Sequence, residues 1–94
     1  MHVISRKKLQ DFVDRMGIPS EPFDAWYHLV AKNDFPNFAA LRKTFNSVDS
    51  VKHFFVFNIS GNSYRIVAAI HFNKQRIYIR EVLTHNKYDH WRAE

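Results

Sequence analysis

The segment IREVLTHNKYDHW, Ile79 to Trp91, gathers His85, Lys87, Tyr88, Asp89 and His90 into six positions. Imidazole carries protons near neutral pH, and a phenol or an ammonium within a turn of it can donate or orient a hydrogen bond. Upstream lie Arg65 and Arg80, each in a run of alternating apolar residues. A guanidinium is permanently charged and offers a planar fork of donors matched to phosphate oxygens. Two that converge hold a phosphodiester and stabilise the charge added in a pentacoordinate transition state. RNA cleavage asks for little more, because the ribose 2′-hydroxyl is itself the nucleophile: one group takes its proton and another protonates the departing 5′-oxygen.

Blander readings of the same residues stand beside this one. Each arginine can sit at a strand end and snorkel into water. THNKYDH can be the capped start of a C-terminal helix, with Thr84 or Asn86 as cap and Tyr88 as a packing residue. No metal or other cofactor is expected: His85 and His90 are five apart, off the i, i+4 face of a helix, and cysteine is absent. The acidic residues are dispersed rather than paired, and no glycine-rich phosphate loop exists, which argues against nucleotide hydrolysis. His2, His28 and His53 look scattered, whereas His71 falls at a strand position that shares a face with Arg65.

These groups need a scaffold to position them. Val3 and Ile4 read as a short strand. Leu9, Phe12, Val13 and Met16 recur at helical spacing behind Ser5, a natural cap, and Gly17 stops that helix. Ser20 between Pro19 and Pro22 caps a second helix that carries Phe23, Trp26, Tyr27, Leu29 and Val30 inward and ends at Asn33 and Pro36. Phe38 to Phe45 forms a short third helix. From His53 the period changes to two, giving strands HFFVFNI, SYRIVAAIHF and RIYIREVL joined at Gly61-Asn62 and Asn73-Lys74-Gln75. The fold class is α+β, with N-terminal helices packed on a small antiparallel sheet.

A two-residue turn at Gly61-Asn62 sets Ile59, Phe57 and Phe55 opposite Tyr64, Ile66 and Ala68 on the core face. The other face then carries Asn58, Val56, Phe54, Arg65, Val67, Ala69 and His71. A second turn of two or four residues adds Tyr78, Arg80 and Val82 to it; a three-residue turn would send them into the core, where clustered charge is costly.

At 94 residues the chain is one domain, 1–94, that buries only about 60–65% of its unfolded surface, so its core must be dense, and nine Phe, four Tyr and two Trp supply it. Fourteen Lys and Arg against nine Asp and Glu favour an anionic partner, nucleic acid before acidic protein or lipid. Without cysteine, without the apolar core of a signal peptide in MHVISRKKLQ and without a run of ~18 apolar residues, a cytoplasmic protein is expected, with no membrane partner.

FPNFAALRKTF, FNISGNSYRIVAAIHF and IYIREVLTHNKYD stand in an order and spacing that resembles the HigB family of type II toxins, within the wider RelE-like group. The likeness covers nearly the whole chain, and Gly-Asn-x-x-Arg, then an apolar strand, then Thr-His-x-x-Tyr-Asp is a specific signature. It implies an mRNA interferase, an endoribonuclease that cuts messages on the translating ribosome, silenced by a HigA-like antitoxin with a helix-turn-helix module. It further implies that Arg65 and Arg80 meet the scissile phosphate and that His85, Lys87 and Tyr88 form the catalytic polar cluster. Asn58, His71, Tyr78 and His90 are the accompanying candidates for RNA contact. Two rivals remain open: a non-catalytic RNA-binding module with Tyr78 and Phe54 as stacking platforms, and a toxin acting on a protein such as gyrase, which would need neither His85 nor Tyr88.

Overall fold

The computed structural model describes residues 1–93, beginning with the short strand β1 (His2–Ile4). Ser5 does not cap the first helix. It takes a left-handed φ of 70° that turns the chain, and Arg6 holds the cap position without a side-chain bond. Helix α1 (Lys7–Met16) buries Leu9, Phe12 and Val13 and closes at Gly17, whose positive φ lets its N–H donate back to the Val13 carbonyl. Helix α2 (Glu21–Ala31) follows Ser20 and buries Phe23, Trp26 and Val30. Leu29, expected inward, points to water instead. Helix α3 (Phe38–Thr44) is capped by Asn37, whose side-chain oxygen accepts from Ala40 N at 2.9 Å.

The strands that follow are β2 (Asp49–Val51), β3 (Phe54–Ile59), β4 (Tyr64–His71) and β5 (Arg76–Thr84), and a fourth helix, α4 (His85–Asp89), ends the element order. The sheet order is β1-β5-β4-β3-β2. The meander expected from the sequence is its antiparallel centre. β1 adds a parallel edge against Arg76 to Tyr78, and β2 an antiparallel edge on β3, so the sheet is mixed and has five strands. Nor do the helices all precede it. Both edge strands are three residues long, too short to show a period-two pattern.

The β3–β4 register matches the expected one, Ile59 to Tyr64, Phe57 to Ile66 and Phe55 to Ala68. Ser60 and Gly61 both adopt positive φ to close that hairpin. Between β4 and β5 the loop is four residues, so His71 meets Arg76 and Tyr78 emerges beside Ala69, away from the core. Val82 does not. Val67 pairs with Glu81 but Ala68 with Ile79, which leaves Arg80 as the extra residue of a β-bulge, and every side chain beyond it changes face. Val82 is therefore a core residue, packed with Ile77, Ile79, Ile66 and Phe57 under the first three helices.

Gln75 fastens the β4–β5 turn. Its φ of 53° is left-handed, its amide nitrogen donates to the carbonyls of Phe35 and Phe72 at 2.7 and 2.8 Å, and its amide oxygen accepts from Phe35 N at 3.0 Å.

Candidate active site

Thr84 ends β5 in an extended conformation, and its hydroxyl accepts from Lys87 N at 3.2 Å, which starts α4. The helix-cap reading of THNKYDH is thus correct as local structure, and it is the device that folds the polar cluster back over the sheet. His85 N donates to Ser63 O at 2.9 Å, tying the first turn of α4 to the β3–β4 hairpin. Tyr88 then lies against the face opposite the helices, its ring 5.5 Å from the Arg65 guanidinium carbon. Trp91 stacks on Tyr88 with centroids 5.7 Å apart and planes 20° apart, and meets Phe54 edge-on at 5.7 Å.

Arg65 does not snorkel. It is 7% exposed, Nη1 donates to the carbonyls of Asn62 and Tyr64 at 3.1 Å each, and Nη2 donates to Asn62 Oδ1 at 2.7 Å. This explains Gly-Asn-x-x-Arg physically: Gly61 permits the turn, Asn62 receives the fork, and the charge is buried with its donors satisfied. Arg65, Asn58 and Tyr88 line one hollow together with Arg42, Ser47 and Asp49.

Arg80 is exposed on its bulge and lines two other hollows. One runs between α1 and β5 and holds Lys8, Arg15 and Lys87; the second lies on the α4 side with Phe54, Val67, Glu81, Trp91 and Arg92. Lys8 Nζ also donates to the Arg80 carbonyl at 3.0 Å, which holds the bulge against α1. The two arginines share none of these hollows, and the Tyr88–Trp91 stack lies beside both. The clamp expected from the sequence becomes two cationic stations flanking α4, one buried and one exposed.

His85 is exposed, with Nδ1 3.8 Å from Asp89 Oδ1 across one turn, a pair that attracts when the imidazole is protonated. Tyr88 is half-buried, and its phenol is held above the ordinary tyrosine range, by burial first and by the Asp49 carboxylate second, with Arg65 opposing. It therefore stands as a neutral hydroxyl near pH 7, fit to donate or orient rather than to act as a phenolate base. His90 is exposed at the end of α4, where its backbone N–H donates to the carbonyls of Lys87 and Tyr88. His71 and Tyr78 are not part of this cluster. They pack edge-on with centroids 5.3 Å apart, six residues along β4 from Arg65, about 20 Å at the usual strand rise.

Sequence reasoning missed Asn62, Asp49, Arg42 and Trp91. Asn62 lies inside the quoted signature and was readable as a partner for Arg65; the other three reach the site only through tertiary packing.

This arrangement, a mixed sheet with three helices on one face and a short polar helix folded onto the other, is that of a RelE-like toxin. The family model for the HigB toxin, described as the RelE-like toxic component of a toxin-antitoxin system, matches residues 20–91. The mRNA interferase toxin HigB of Escherichia coli (strain K12) is 36% identical over 96 residues, spanning 99% of this chain and 92% of its own length. The mRNA interferase HigB of Shigella flexneri matches with the same figures, and that of Escherichia coli O6:H1 is 24% identical over 92 residues, covering 95% and 89%. The chain belongs to the HigB toxin family.

Proposed function

We propose that the chain is an mRNA interferase: it cleaves messages during translation by attack of the ribose 2′-oxygen on the adjacent phosphorus, and a HigA-like helix-turn-helix antitoxin holds it silent. The observation that carries this reading is the convergence on α4 of a proton carrier, a neutral phenol and cations on both sides, in a chain whose relatives bear that activity in their names. His85 moves the proton, the Tyr88 hydroxyl orients the reacting groups, and Arg80 with Lys87 meets the phosphate from the exposed side. Arg65, fixed by Asn62, is a preorganised charge beneath Tyr88. As the 2′-oxygen bonds to phosphorus, its proton leaves to a base and the bond to the 5′-oxygen breaks with proton delivery from an acid. The products are a 2′,3′-cyclic phosphate and a 5′-hydroxyl. No metal enters this balance.

Single-turnover cleavage of ribosome-bound message, with binding measured on the same substrate, tests the assignment. His85→Gln should slow cleavage by about 10²–10⁴ with binding near the parental value. Arg80→Ala should weaken binding and slow cleavage by about 10²–10³. Cleavage should persist in excess chelator once ribosomal magnesium is restored. Parental cutting by folded His85→Gln would leave this histidine with a purely structural place in the first turn of α4, and binding without any strand scission would favour the RNA-binding rival.

A further inference from the structure

At the end of the sheet remote from α4, three strands bring together residues that the sequence separates widely. Arg76 opens β5 between His2 on β1 and His71 on β4, its register partners on either side. Partners in register project to the same side of a sheet. The next residues, Val3, Ile77 and Ile70, pack into the helix-covered core, so the row His2, Arg76, His71 projects from the opposite face, the one α4 also occupies. All three side chains are exposed, and Tyr78 stands edge-on to His71. Neither β1, β4 nor the 72–75 turn contains a carboxylate, and the one acid of β5, Glu81, lies five positions on beside Val67. Neither ion pair found among the described residues involves this row.

We propose that this row is a second phosphate-binding site, an anchor for the RNA strand away from the cleavage groups; it rests on the ribonuclease reading above. Arg76 supplies a fixed charge with several donors, and the flanking imidazoles add N–H groups on both sides. The centre of a protein interface is poor in charged groups, and this row offers little else, so a polyanion fits it better than a folded partner. Arg80, which meets the phosphate, lies four residues along β5 from Arg76, about 13 Å at the usual strand rise. A stacked strand places a phosphate every ~3.4 Å, so about four nucleotides separate the anchor from the cut.

The experiment compares two RNAs with the same cleavage sequence, one long and one trimmed to roughly two nucleotides on each side, too short to span that distance. For Arg76→Ala, and for Arg76→Gln, which removes the charge but keeps a polar amide, affinity for the long RNA should fall severalfold, and the slope of log K against log salt should flatten by about 0.7. Affinity for the trimmed RNA and its cleavage rate should stay parental, and Arg76→Lys should restore the slope. An unchanged slope in a variant that melts like the parent would overturn the anchor, as would equal losses on both RNAs. Loss of antitoxin co-purification with RNA binding intact would assign the row to a protein interface and overturn it too. A slope change between parent and variants, with no cutting by the parent, keeps the anchor and sinks the nuclease reading.

Discussion

Both faces of this sheet are covered, but by different means. On one, three helices press a continuous apolar layer in which Phe57 meets Trp26 and Phe45 edge-on at 5.2 Å each. On the other, a five-residue helix and Trp91 close over Val56 and Val67, which pair in register and are 2% and 0% exposed although they lie outside the main core. This second layer is thin and mixed, with a buried guanidinium at one side and a phenol above it. The difference shows why a small domain can hold Arg65 at such low exposure. The helix-covered face carries the stability, so the α4 face can carry charge, and a short helix is enough to position it without sealing it.

The contrast breaks most visibly in the deep face. Phe57→Ala should cost about 3–5 kcal/mol, a large share of what a domain of this size holds in reserve. Chemical denaturation should show the midpoint falling steeply, and a loss below about 1 kcal/mol would mean that the two layers contribute alike. Arg65→Ala comes next. It strands the Asn62 acceptors and opens space beneath Tyr88, so it should cost about 1–3 kcal/mol and slow cleavage as well. Exposed Arg80→Ala should slow cleavage while leaving the midpoint within about 0.5 kcal/mol of the parent. Equal midpoints for the two arginine variants would end the distinction between a buried and an exposed station.

The deep face was largely legible in the sequence because its signals are periodic. Leu9, Phe12 and Val13 at helical spacing, and Phe55, Phe57 and Ile59 at strand spacing, each specify a side. The candidate site was legible as a list of residues and not as a geometry. A single bulge at Arg80 reversed Val82, and its one mark in IYIREVL is the adjacent polar pair Arg80-Glu81, which shifts the phase of the alternation by a residue. Trp91 and Asp49 join the site through the fold-back of α4 and a three-residue edge strand, contacts far apart in sequence with no local pattern. Conversely, GNxxR was visible as a signature before its reason was: the Arg65 fork needs the Asn62 carbonyl and amide oxygen, three residues back within the turn.

The smallest expected effect sharpens the contrast through pH. Burial, and then Asp49, hold the Tyr88 phenol above its ordinary 10.0, so the folded chain binds that proton more tightly than the unfolded one. Its contribution to stability is complete below about pH 10 and is lost as pH rises through the folded value. Tyr88 is only half-buried, so solvent screens the effect and the alkaline loss is modest. Tyr88→Phe should therefore show a shallower decline of denaturation midpoint above pH 10 than the parent, because the two chains differ only in that hydroxyl. Asp49→Asn removes the second cause while leaving burial, and should produce a weaker version of the same flattening. Parallel curves for parent and Tyr88→Phe would place the phenol in water, and with it the claim that α4 makes a second, thin interior on this face.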